Sequence, residues 1–127
     1  MDLKLKGRSV LVTGSSMGIG LAVAKVMAAE GCSLHLAARN EERLNAAADE
    51  IAKTYRVSVT PHPADLSKTE EVLKLAEACG DVDILVNNAG GIPRGTLQEV
   101  DGATWRRAWD LKVFGYIDLT RAIIAKM

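Results

Sequence analysis

The chain has 127 residues, 48% hydrophobic and 25% charged, which fits one soluble globular domain and excludes a disordered tail, a collagen-like repeat or a disulfide-stapled mini-protein. Sixteen Lys and Arg balance sixteen Asp and Glu, so no global field recruits nucleic acid or an anionic membrane, and 4% aromatics are too few for base-stacking platforms. No apolar run approaches the roughly 18–20 residues of a membrane span, and Met1 to Gly14 lacks the apolar core and cleavage site of a signal peptide. The expected address is therefore the cytoplasm, with no nucleic-acid or membrane partner.

Arg8–Thr13 is β-branched and bounded by Gly7 and Gly14, so it reads as a buried strand. From Gly18 to Glu30 the residues Ile19, Val23, Val26 and Met27 recur at helical spacing, with Gly31 as the stop. Ser33–Ala38 is a second strand. Asn40 then caps a helix whose first turn carries Glu41 and Glu42, where the helix dipole favours acids, and Leu44, Ala47, Ala48 and Ile51 form its apolar stripe. Val57–Thr60 reads as a third strand closed by Pro61. Ser67 and Glu70 have the spacing of a capping box, and their helix runs to Gly80. Asp83–Val86 is a fourth strand, and Asp101 caps a last helix that continues to Met127. Four strands alternating with four helices imply a parallel sheet covered on both faces. Right-handed crossovers and a reversal after the third strand give the spatial order 3-2-1-4, the N-terminal half of a Rossmann-type doubly wound α/β fold.

The turn from Gly14 to Gly20 joins the first strand to the first helix. A phosphate pair needs backbone N–H groups free of an obstructing Cβ, and a helix N-terminus for its charge. Gly14 permits the sharp turn, Gly18 the close approach and Gly20 the tight packing of helix on strand, while Ser15 and Ser16 offer hydroxyls. The spacing is G-x-x-x-G-x-G, and Asn87-Asn88-Ala89-Gly90 follows the fourth strand directly. On these two motifs, each in its expected place, the chain resembles the short-chain dehydrogenase/reductase family over essentially its whole length. The resemblance implies hydride transfer between a nicotinamide cofactor and a small-molecule alcohol or carbonyl, with Ile19 also at the pyrophosphate. Asp65 would accept from the adenine amino group with Leu66 beside the ring, and Asn88, Ala89 and Gly90 would line the adenine-ribose side. Asn87 would brace the sheet, and Gly91 to Gly95 would form the loop beside the nicotinamide.

The end of the second strand bears on cofactor choice. An NAD-binding fold usually carries an acid about 20 residues after the glycine turn to hold the ribose 2′-OH. Here Ala38 takes that position and Arg39 follows, a permanently charged fork suited to a 2′-phosphate. NADP(H) is expected over NAD(H); a solvated arginine paired with Glu42 is the competing reading. Met17 stands where many NADP-preferring relatives carry a second base.

On the last helix, Trp105, Trp109, Val113, Tyr116, Thr120 and Ile123 cover one face, and Leu111, Phe114, Ile117 and Ile124 extend it around. Burial on two sides is expected; in the resembled family the second side meets the same helix of another subunit, which implies a homo-oligomer. Lys112 stands where the family has an asparagine that holds a relay water, and a lysine cannot accept as asparagine does. It projects into the site, belongs to a branch with a different relay, or snorkels outward. The family's catalytic serine and Tyr-x-x-x-Lys have no counterpart, since Val59 and Thr120 follow four residues after Tyr55 and Tyr116. Residues 1–127 therefore read as one cofactor-binding domain cut before its acid–base groups, inactive alone although its parent is an enzyme; a non-catalytic nucleotide-binding module or scaffold is the alternative. His35, inside a strand, and His62, between two prolines, read as structural. Cys32 and Cys79 fit neither a metal nor a redox spacing, and no metal is expected.

Overall fold

The computed structural model describes all 127 residues. Strands β1 (Ser9–Thr13), β2 (Ser33–Ala38), β3 (Val59–Pro63) and β4 (Ile84–Val86) form one parallel sheet in the order β3-β2-β1-β4. Helices α1 (Gly18–Ala29), α2 (Glu41–Tyr55) and α3 (Thr69–Cys79) are the crossovers, and α4 (Gly102–Trp109) and α5 (Gly115–Ile124) follow β4. The expected fold class and strand order are both present.

Strand periodicity divides the core into two layers. Val10, Val12, Leu34 and Leu36 face α1 and α2, where they meet Ala24, Ala28, Leu44, Ala48 and Ile51. Leu11 and Ala37 point the other way, into a cluster with Val72, Leu75 and Ala76 of α3 and Leu119 and Ile123 of α5. Each fully buried Leu or Ile contributes about 1.5–3 kcal/mol of transfer free energy, so both faces hold the sheet.

Three elements differ from the sequence expectation. β3 extends through Pro61 to Pro63, because it lies at the sheet edge and pairs only with β2. Ala64 donates its N–H to the Ala38 carbonyl. N–H groups alternate along a strand, so Pro61 and Pro63 present their donorless nitrogens to the open side, where no ladder bond is lost. Second, Ser67 does not cap α3. Its amide and hydroxyl both donate to Asp65 Oδ1, at 3.0 and 2.6 Å, and Glu71 rather than Glu70 accepts from a preceding backbone amide, that of Asp65. Third, the last helix is interrupted by a π-helical turn over Asp110–Phe114. The caps at Asn40 and Asp101 form as expected, accepting from the Arg43 and Thr104 amides at 2.9 and 2.7 Å.

Candidate functional site

The C-terminal ends of β1, β2 and β4 converge on the switch point between β2–β1 and β1–β4, the place where open α/β sheets receive ligands. Thr13, the last residue of β1, organises it. Its buried hydroxyl oxygen accepts from the Asn88 and Ala89 amides, both at 3.0 Å, and its hydroxyl donates to the Val86 carbonyl at 3.3 Å. Asn88 answers with its amide nitrogen, which donates to the Thr13 and Gly14 carbonyls at 3.1 Å each. The turn after β1 and the turn after β4 are thus one hydrogen-bonded unit.

The glycines make that unit possible. Gly14 has a φ of +66°, and a Cβ there would stand 2.8 Å from Ala89 Cα. At Gly20 a Cβ would collide with the Gly14 carbonyl and stand 2.5 Å from Asn88 Nδ2. Gly18, also at positive φ, would have nothing within 4 Å of a Cβ, so it leaves the start of α1 open. Ser15 is buried and its hydroxyl donates to the Val12 carbonyl at 2.9 Å, so it stabilises the turn from within. Ile19 is exposed on the first turn of α1.

A cleft of about 380 Å³ opens over this unit. Gly14 and Ser16 lie on one wall, Ala38, Arg39 and Arg43 on a second, and Leu66, Ala89 and Gly90 on a third. Arg39 makes no ion pair with Glu42 and is exposed. Asp65 sits beside this wall; burial pushes its carboxyl up, but the two bonds from Ser67, with the nearby charges of Arg39 and Lys68, outweigh that and hold it below the usual carboxylate range. Of the sequence candidates, Gly14, Ser16, Arg39, Leu66, Ala89 and Gly90 line the cleft. Ser15, Gly20 and Asn88 build its floor through the contacts above, and Gly18 and Ile19 stand at its rim on the helix start.

Arg43 is a site residue that the sequence alone does not single out. It lies one helical turn beyond Arg39, and its Nη1 reaches 2.9 Å from Met17 Sδ across the mouth of the cleft. A guanidinium from α2 thus stands beside Met17 at the start of α1. The available signal is its four-residue spacing from Arg39 on a helix start already marked by the Asn40 cap.

Lys112 lies in the π-helical turn, and its ammonium points at the cleft: Nζ stands 3.1 Å from where a Gly90 Cβ would be and 5.9 Å from the centroid of the Tyr116 ring. Burial pushes the Tyr116 hydroxyl above its usual pKa. Asn87 braces the sheet against α5, donating to Thr120 Oγ1 at 2.9 Å.

Across the sheet, on the α3 side, the fold brings together three residues that the sequence leaves far apart: His35, His62 and Cys79.

The short chain dehydrogenase profile matches residues 8–127. The chain belongs to this family. Among its short-chain dehydrogenase relatives, the uncharacterized oxidoreductase YvaG of Bacillus subtilis is 36% identical, aligned over 100% of this chain and 48% of its own length. L-Sorbose reductase from Gluconobacter frateurii, solved with NADPH and L-sorbose, superposes with a TM-score of 0.96 at 36% identity, covering 100% of this chain and 50% of that one. A short-chain dehydrogenase/reductase from Burkholderia phymatum in complex with NAD gives a TM-score of 0.91 at 29% identity over 98% of this chain and 46% of that one. The chain spans about half the length of the curated relatives it matches. No helix is long and apolar enough to cross a membrane.

Proposed function

We propose that this chain is the NADP(H)-holding part of an oxidoreductase that interconverts a small-molecule alcohol and a carbonyl compound. The observation that carries the reading is the cleft itself, where the glycine turn, two arginines free of carboxylate partners and an apolar wall surround one space. The donor set fits the cofactor. Backbone amides at Ser16, Gly18, Ile19 and Gly20 meet the pyrophosphate, with α1 contributing the positive end of its dipole, while Gly14, whose own N–H donates to the Ala37 carbonyl at 2.8 Å, supplies the turn beneath it. Arg39 and Arg43 pair with the 2′-phosphate, and no carboxylate at Ala38 repels it. The depressed Asp65 carboxyl is ionised at neutral pH and accepts from the adenine amino group, with Leu66 against the ring. Ala89 and Gly90 follow the ribose, and Asn88 holds them in register.

NADP(H), when bound, supplies or takes up the hydride. The chain's own residues bind and orient. A tyrosine with a lysine four residues on is not among the 127, so the chain alone binds nucleotide without turnover. Lys112 places a cation beside Gly90, where it raises the local positive potential. The outer face of α4 and α5 is where copies of the protein associate.

Titration of the purified chain with NADPH and NADH, read by cofactor fluorescence, tests the assignment. Arg39→Ala is expected to weaken NADPH by about 10–100-fold, the worth of a charge-assisted bidentate contact, and to leave NADH within about twofold. Arg43→Ala follows the same direction with a smaller effect. Equal losses for both cofactors would mean that Arg39 serves the fold rather than the 2′-phosphate.

A further inference from the structure

We propose that His35, His62 and Cys79 form a binding site for Zn²⁺ or a similar borderline-soft divalent cation, clipping β2, β3 and the end of α3 together. His35 sits on β2 between Leu34 and Leu36, which face α2, so its ring projects to the α3 side. In the parallel register Ala37 opposes His62 and Thr60 opposes His35, which makes the two histidines diagonal neighbours on that face. Cys79 ends α3 and turns its sulfur back onto the same spot.

The distances are those of a ligand set. His35 Nδ1 lies 2.9 Å from His62 Nε2, Cys79 Sγ lies 3.8 Å from the same Nε2, and one donor atom from each residue falls within 4.8 Å of the others. A tetrahedral zinc with bonds of about 2.0–2.1 Å to nitrogen and 2.3 Å to sulfur separates its ligands by about 3.3 Å (N to N) and 3.6 Å (N to S). Shifts of a few tenths of an ångström reconcile the two His62 distances, and a side-chain movement of at most about 1 Å brings His35 and Cys79 from within 4.8 Å to the same spacing. A hydrogen-bonded histidine pair accounts for two of these groups. It does not account for a sulfur converging on the nitrogen that the pair already uses.

The chemistry of the three donors agrees. Burial pushes both imidazoles towards the neutral, ligating form, and the neighbouring His35 pushes His62 the same way. Burial also raises the Cys79 thiol to about 11. Binding therefore exchanges the S–H bond for a sulfur–metal bond and releases one proton to water, with no change of oxidation state. A cleft lined by His62, Lys68 and Glu71 opens beside the cluster, so a water has access to the fourth position. The donor set of two nitrogens and one sulfur selects zinc-like ions over magnesium or calcium.

Co²⁺ titration of the purified, reduced chain tests the site, with circular dichroism confirming the fold. The expected result is one Co²⁺ per chain with a thiolate-to-cobalt charge-transfer band, displaced by Zn²⁺. Cys79→Ser abolishes the band, and His62→Gln raises the Kd at least tenfold. Cys32→Ser leaves the band intact, because Cys32 lies in the opposite core cluster with its sulfur on the Leu5 carbonyl. Zn²⁺ at a hundredfold excess over its Kd raises Tm by about 10 °C. No charge-transfer band from the folded chain overturns the proposal without reference to any variant. So does a band that survives Cys79→Ser, or one lost with Cys32→Ser. NADPH affinity is unchanged by Zn²⁺ in the expected outcome, so this test stands apart from that of the cofactor cleft.

Discussion

Thr13 shows how much one side chain controls here. The residue is 1% exposed, and its hydroxyl satisfies two amides of the β4 turn while donating to a third partner. Thr13→Val keeps the volume and removes the acceptor, leaving the Asn88 and Ala89 amides buried without a partner. Each orphaned donor costs about 1–3 kcal/mol, so the variant is expected to lose about 2–4 kcal/mol in urea unfolding. Thr13→Ser keeps the oxygen and loses only a methyl, about 1 kcal/mol. The contrast between the two variants separates the hydrogen bonds from packing. The proposed NADPH binding should fall with Thr13→Val beyond what unfolding explains, because Thr13 Oγ1 then no longer ties the Asn88 and Ala89 amides to the end of β1. A Thr13→Val chain as stable as Thr13→Ser would remove this residue from the framework of the cleft.

At the level of elements, the turn into α3 carries a pH dependence of definite sign. Burial alone would raise the Asp65 pKa; the Ser67 hydrogen bonds, then Arg39 and Lys68, bring it below the ordinary value. A depressed carboxyl stabilises the fold above its unfolded pKa, and that contribution is lost as pH falls through the lower folded value. Ser67→Ala is expected to move the Asp65 carboxyl resonance to a higher titration midpoint in NMR. It should cost about 1 kcal/mol at pH 7, a figure discounted because the carboxylate is partly solvated. The difference from wild type should vanish in strong acid, where both carboxyls are protonated; a gap that persists there would assign the loss to the hydroxyl's packing instead. The same turn shows why some features are legible in the sequence and others not. The Asn40 and Asp101 caps are, because a cap needs only residues three apart, and the glycine turn is, because its strand-turn-helix context is local. The spacing of Ser67 and Glu70 misleads because Asp65, two residues upstream, competes for the same hydroxyl. Pro61 suggests too short a β3 because edge position is a property of the assembled sheet. The four-residue spacing of Arg43 from Arg39 is readable, but its contact with Met17, like that of Cys79 with His62, is a product of strand register and helix docking, for which sequence spacing holds no signal. In the last helix the apolar residues are recognisable but their phase is not. Its buried positions are Gly115, Leu119 and Ile123, with Trp109, Phe114, Ile117 and Ile124 exposed, since the π-helical turn shifts the face that meets the core. Gly115 at that junction lets α5 approach the Leu66 carbonyl, which a Cβ would meet at 2.5 Å.

On the scale of the whole molecule, the two sides of the sheet are unequally finished. β3 ends the sheet with two prolines, which blunt it as a template for further pairing. β4 has β1 on one side and no strand on the other, it carries no proline or charge within Ile84–Val86, and the following Asn87 Oδ1 is buried without a donor. Beside it, Trp109, Phe114, Ile117 and Ile124 present apolar surface along α4 and α5, with shallow hollows lined by Trp105, Trp109 and Phe114 and by Tyr116, Ile117 and Ile124. Apolar surface of this kind drives association between copies. The 127-residue chain is therefore expected to self-associate with rising concentration in sedimentation velocity. Ile117→Lys combined with Ile124→Lys removes two exposed side chains that lie outside the buried seam of α5, so the fold is retained by circular dichroism while association weakens about tenfold or more. Association undiminished in that double variant would place the contact on the β4 edge instead, where backbone N–H and C=O groups, insensitive to helix side chains, recruit a further strand.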